Sequence, residues 1–132
     1  MKRVVIESPY AGNYKLNETY AEFAMHDCLV NYNETPYASH LLYTRKNVLR
    51  DHIPADRKLG IEAGFYWRSV SEKTVFYVDL GMTKGMVLGE EDCKKQGKPY
   101  EIRELPADLW NKFLDVLENS GFEVIRAKKR KG

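Results

Sequence analysis

"KTVFYVDLGMTKGMVLGEEDCKKQ", residues 73–96, is the stretch on which the fold turns. Residues 73–79 form a β-branched and aromatic run ending on Asp79, as a buried strand does. "LGMTKG" (80–85) supplies glycines for a turn, and "MVLGEEDCKKQ" (86–96) has helical spacing, stopped by Gly97 and Pro99. A continuous apolar strand that feeds straight into a helix belongs in a parallel sheet covered on both faces.

The same cadence extends in both directions. Upstream, "RVVIE" (3–7) reads as a short buried strand, and "KLNETYAEFAMHDCLVNY" (15–32) sets Ala21, Ala24, Cys28 and Leu29 on one helical face. "TPYAS" (35–39) is a brief second strand. "HLLYTRKNVLRDHI" (40–53) has no clean period and reads as a long loop, a feature often reserved for function. Pro54 opens the helix "PADRKLGIEAGFYWRSV" (54–70), whose stripe of Leu59, Ala63, Tyr66 and Val70 predicts its inward side. Downstream come a fourth strand, "PYEIREL" (99–105), and the helix "PADLWNKFLDVLENSG" (106–121), with Leu109, Phe113, Val116 and Leu117 inward and Gly121 as C-cap. "FEVIRA" (122–127) reads as a fifth strand. The alternation predicts one α/β domain over residues 1–126, flavodoxin-like or Rossmann-like, with a five-stranded, mainly parallel sheet and helices on both faces. A basic tail, 127–132, follows it.

The bulk numbers narrow the classes. At 132 residues the chain holds one core, and 43% hydrophobic with 30% charged residues suits a globular domain. The formal charge of +2 owes much to the tail "RAKKRKG", so nucleic acid is not an expected partner. No segment approaches the ~20 apolar residues of a membrane span, and "MKRVVIESPY" is too short in apolar run for a secretory leader, so a cytoplasmic protein is expected. Cys28 and Cys93 lie far apart in helical patterns and read as buried free thiols; no metal and no cofactor is expected.

In a 2-1-3-4-5 strand order the direction of winding reverses between strands one and three, and ligands bind beyond the carboxyl ends of the strands there. Glu7 ends the first strand, His40 follows the second and Asp79 ends the third, so the three are expected on one rim. Glu7 and Asp79 are the candidate catalytic carboxylates. Candidate ligand contacts are the loop Ser8, Pro9, Tyr10, Ala11, Gly12 and Asn13, with Tyr10 placed to stack on a base, and the pair Ser39 and His40. Gly81, Met82, Thr83, Lys84, Gly85 and Met86 lead from strand into helix, so their amides and Lys84 can hold a phosphate, although the spacing is not that of a P-loop. Each also has a plainer reading: Glu7 satisfied by loop amides, Asp79 capping its turn, His40 a structural imidazole, the glycines ordinary turn residues. Arg45, Lys46, Arg50 and Arg57 make the long loop basic, either to clamp a phosphate or to keep the loop soluble. Glu62 reads as a solvated or paired surface acid, or one that reaches a cleft or a partner subunit.

"VVIESPYAG", "ASHLLY" and "VFYVDLGMTKGMVLGEEDCKKQGKPYEI", in that order and at those intervals, resemble the nucleoside 2-deoxyribosyltransferase-like family over most of the chain, nearest to small members found in bacteriophage genomes. The resemblance implies a nucleoside or nucleotide ligand, a homodimer or higher homo-oligomer, and cleavage or exchange of an N-glycosidic bond. It also implies a nucleophilic Glu early in the helix after the glycine turn. Aligned on Gly97-Lys98-Pro99 that position is Gly89; aligned on Gly85-Met86 it is Val87; neither is a nucleophile. Glu90 is adjacent but about 100° around the helix. Met82-Thr83-Lys84 stands where the turn often carries an acid, while Asp79 matches the family's strand-end Asp. The expectation is therefore a non-catalytic nucleotide binder or sequestering protein, suited to phage counter-defence. The alternative is a deoxyribosyltransferase or nucleotide N-glycosidase working through Glu7 and Asp79.

Overall fold

The computed structural model describes residues 1–126. Four parallel strands, β1 (Lys2–Glu7), β2 (Glu34–Tyr37), β3 (Lys73–Tyr77) and β4 (Tyr100–Arg103), lie in the order β2-β1-β3-β4. Helices α1 (Tyr14–Asn31), α2 (Pro54–Val70), α3 (Lys84–Gln96) and α4 (Ala107–Asn119) connect and follow them. The register runs Val5↔Tyr37 between β1 and β2, Glu7↔Phe76 between β1 and β3, and Phe76↔Ile102 between β3 and β4.

Alternate residues of the central strands feed two unlike faces. Val4, Ile6, Val75 and Tyr77 point toward α1 and α4, where Tyr20, Ala24, Cys28, Leu109, Phe113 and Leu117 close a continuous core. On the other side Phe76 meets only Met86 and Cys93 as fully buried partners, with Val78, Met82 and Tyr100 partly covering them. The spacing of α1 puts Ala21, Ala24 and Cys28 inside as expected, but Leu29 is exposed.

Three expectations need correction. The sheet has four strands: residues 122–126 form no strand, and Ala127 with the basic tail lies outside the described residues. Gly121, at φ +92°, turns the chain at the end of α4, and Arg126 ties it back along that helix through Asp115 and Glu118. Phe122 and Val124 pack on the core while Ile125 is left 95% exposed, so the apolar residues of "FEVIRA" serve a strap, not a ladder. The stripe of α2 points the wrong way: Leu59, Tyr66 and Val70 are 56%, 80% and 50% exposed, and the one fully buried side chain of that helix is Arg68. On α4, Leu109, Phe113 and Leu117 are buried and Val116 is partly exposed.

The loop of residues 40–53 begins with a short 3₁₀ turn, Ser39–Leu41. Arg45 and Arg50 of the loop are bound to Glu18 and Asp56, and Arg57, just inside α2, is bound back to Asp51. Among the described residues no helix is long and apolar enough to cross a membrane.

Candidate functional site

A cleft of about 700 Å³ opens beyond the carboxyl end of β1, between α2, α3 and the loop that follows β2. A shallower depression of about 420 Å³ is lined by Pro54, Arg57, Lys58, Ile61, Glu62 and Phe65, all on the surface of α2 alone, so the cleft, which several elements build, is the candidate site.

The sequence builds the cleft in three parts. The first is the loop after β1. Asn13 caps α1 by accepting from the Leu16 amide, and Asn17 Nδ2 donates to the Tyr10 carbonyl at 2.9 Å and the Ala11 carbonyl at 3.3 Å. These bonds pin the loop and leave Ser8, Tyr10 and Ala11 on the cleft wall. Ser8 Oγ lies 3.0 Å from His40 Nε2, both residues are buried, and the His40 ring packs 5.7 Å from that of Tyr10. Burial, with Arg45 nearby, pushes the His40 pKa down to about 4, so the pair is neutral at physiological pH.

The second part is a charged floor. Arg68, 7% exposed, reaches from α2 to donate through Nη2 to Glu7 Oε1 at 2.7 Å and through Nη1 to Asp92 Oδ2 at 3.5 Å. Desolvation raises the Glu7 pKa, and the Arg68 charge and hydrogen bond oppose that rise. Two buried side-chain polar atoms among the described residues lack a hydrogen-bond partner, Arg68 Nε and Tyr37 Oη. Arg68 Nε belongs to the guanidinium that binds Glu7, while Tyr37, in register with Val5 and stacked on Trp67, is not among the residues that line the cleft. A buried polar atom without a partner costs roughly 1–3 kcal/mol, which a ligand or a water relieves.

The third part is the start of α3. Thr83 caps the helix by accepting from the Met86 amide at 3.2 Å, and Thr83, Lys84, Gly85 and Met86 border the cleft with the positive end of the helix dipole. Gly89 lies one turn in, against Arg68 and Phe76. A Cβ there would meet Arg68 Nη2 and Phe76 Cε1, each at 3.4 Å.

Of the residues expected at the site, Glu7, Ser8, Tyr10, Ala11, Ser39, His40, Thr83, Lys84, Gly85 and Met86 come together around the cleft. Pro9, Gly12, Asn13, Asp79, Gly81 and Met82 do not line it. Asp79 faces the other side of the sheet. Its Oδ2 accepts from the Tyr20 hydroxyl at 2.6 Å and the Leu105 amide at 2.9 Å, tying α1 to the approach of α4. Met82 belongs to the smaller core cluster, and Gly81, at φ +91°, makes the turn after β3. Arg68, Asp92, Gly60 and Gly64 were not singled out in advance. Gly60, Gly64 and Arg68 recur every fourth residue and share the cleft side of α2, and that spacing was the available signal.

Fold and cleft together define a doubly wound parallel α/β protein with a polar, partly charged site where the winding reverses. The profile of a domain of unknown function, DUF7768, matches residues 2–103, and the chain belongs to that family. The match takes in all four strands and three of the helices, hence every residue of the cleft. No curated protein and no solved structure matches the chain.

Proposed function

We propose that the cleft binds a nucleoside- or nucleotide-derived small molecule and holds it without covalent chemistry. The observation that carries this reading is at position 89. Aligned on Gly97-Lys98-Pro99, the resemblance to the deoxyribosyltransferase-like family would put a nucleophilic carboxylate there; aligned on Gly85-Met86 it would fall at Val87, equally unable to act. At position 89 this chain has glycine, and the guanidinium of Arg68 lies 3.4 Å from where a Cβ would stand. Arg68 is itself engaged by Glu7 and Asp92, so the floor is a charge-balanced hydrogen-bonding surface. Around it stand groups suited to the three parts of a nucleotide: the Tyr10 ring for a base, Glu7 with Arg68 for hydroxyls, and the amide end of α3 with Lys84 for a phosphate. A protein that captures such a ligand without altering it acts by sequestration, which suits a phage protein opposing nucleotide signalling.

The raised Glu7 pKa favours a second reading, an N-glycosidic-bond enzyme with Glu7 as acid or oxocarbenium stabiliser. Asp79 takes no part in it, because its carboxylate is committed between Tyr20 and Leu105. One experiment separates the two. The protein is incubated with a panel of nucleosides and nucleotides, thermal shifts are recorded, and the mixtures are chromatographed for free base. The binder gives a shift with one compound and no base. Base release that Glu7→Gln abolishes establishes the enzyme instead, and the absence of any shift overturns the ligand class.

A further inference from the structure

A nucleoside monophosphate would leave one end of the cleft unused. Ser8, Tyr10 and His40 stand with Glu7 at the polar end, and Arg68 reaches Glu7 from α2. Beyond Arg68 the lining turns apolar. Ile61 and Phe65 of α2 and Leu88 of α3 face the cleft with 49%, 52% and 57% of their surfaces exposed. Leu49 of the loop comes down on Gly60 beside them, its Cδ1 3.5 Å from where a Cβ would stand. Large apolar side chains left bare around one concave site mark a place where something is bound.

On the basis of the nucleotide reading, we propose that the ligand is a dinucleotide. Its first nucleoside lies at the polar end and its phosphate at the start of α3. A second planar ring, joined through that phosphate, rests against Phe65 and Leu88. Three features select such an occupant. First, Phe65 is held as a stacking platform. Arg68 Cζ lies over its ring, 5.4 Å from the centroid, so the guanidinium steadies the ring while half of its surface stays open. Stacking on such a ring accepts any base, because every base has a π-face. Second, there is room. Gly60 and Gly64 leave α2 without side chains beside the platform, and nothing lies within 4 Å of a Cβ added at Gly64. The cleft volume of about 700 Å³ falls in the upper part of the ~300–1,000 Å³ range of small-molecule sites. Third, the charge sits beside the apolar end. Lys84 and Leu88 both line the cleft and are one turn apart on α3, about 6 Å along the axis. A phosphate drawn to Lys84 and the positive end of the helix dipole therefore carries its second substituent toward Leu88. A lipid chain would satisfy Leu88 and Ile61 but has no use for a ring backed by a guanidinium.

Titration calorimetry of the full chain tests this with four adenosine probes: the monophosphate, its butyl ester, the phosphodiester-linked dinucleoside and the pyrophosphate-linked one. The guanosine, cytidine and uridine sets are run alongside. The expected result is that, for one base, a dinucleotide binds roughly 10-fold or more tightly than the monophosphate, and the butyl ester does not share the gain. Which dinucleotide gains reports the linkage. Phe65→Leu keeps apolar bulk but removes the ring, and Leu88→Ser changes an exposed position. Each should bring the ratio of the two affinities down toward one, with the circular dichroism spectrum unchanged. A wild-type ratio near one overturns the second-ring site while the nucleotide reading stands. So does a ratio indifferent to both variants, or an equal gain from the butyl ester. Binding of no compound at all overturns the nucleotide reading and the dinucleotide with it.

Discussion

The two faces of the sheet are made from adjacent residues of the same strands and are put to opposite uses. On the α1/α4 face nearly every side chain is enclosed, and the polar groups there satisfy one another. Tyr77 Oη donates to Asp27 at 2.7 Å and accepts from Arg103 Nη1 at 3.2 Å. Arg103, with its guanidinium 3.5 Å over the Tyr32 ring, also holds Glu34, and Lys73 closes the network from β3. On the α2/α3 face the buried apolar cluster is small, two glycines thin the covering helix, and the orphaned polar atoms Arg68 Nε and Tyr37 Oη are both found there. One face is closed to hold the fold; the other is kept open, at a cost in stability, to hold something else.

The comparison breaks first at Arg103. Its removal leaves the buried Glu34 carboxylate short of its main partner, and losing one half of a buried pair costs about 3–5 kcal/mol. Arg103→Ala should therefore lower the urea midpoint more than any substitution on the cleft side. A loss under ~1 kcal/mol would mean the closed face is not where stability resides.

His40 sets the next largest effect. Its folded pKa lies below the unfolded value of about 6.5, so its contribution is fully present above that pH and is lost as pH falls toward about 4. The loss amounts to something on the order of 3 kcal/mol, and His40→Gln should flatten the stability–pH curve across that window. Glu34 acts at lower pH. Burial alone would raise its pKa, yet hydrogen bonds from Arg103 and Lys73 and their charges hold it below the usual carboxylate range, so its share is lost only as pH falls below about 4.

Gly64→Ala sharpens the contrast from the open side. Nothing lies within 4 Å of the added Cβ, and alanine in a helix interior is favoured over glycine by about 1 kcal/mol. The variant should melt higher yet bind the cleft ligand more weakly, since the methyl group fills part of the cleft. A rise in both would show that the glycine face makes no room for a ligand. Last comes Ile125→Ser, at a side chain left 95% exposed, which should change the unfolding free energy by less than ~0.5 kcal/mol.

What could be read from sequence divides along the same line. Strands β1 and β3 are apolar on both faces and announced a parallel sheet, and strand-end residues Glu7 and His40 followed from the topology. Those inferences rest on hydrophobic burial, which periodicity reports directly. Apolarity misled at α2 because it registers the wish to be covered, not what does the covering. There the inward side is glycine and arginine, residues that score as surface. Asp79 was grouped with Glu7 because both end neighbouring strands, but the register matches Glu7 to Phe76, three residues earlier, and Asp79 is drawn to Tyr20 on the opposite face. "FEVIRA" had strand composition, and only the ion pairs of Arg126 with α4 distinguish the strap from a ladder.

Both native cysteines sit inside this architecture, and Cys28, next to Tyr77, has its thiol pushed up to about 11 by burial. The folded chain is accordingly slow to meet alkylating reagents or peroxide. A cysteine introduced anywhere on the surface would be the single quick handle for a fluorophore or spin label, and the rate at which the native pair becomes modified would serve as a clock for global opening.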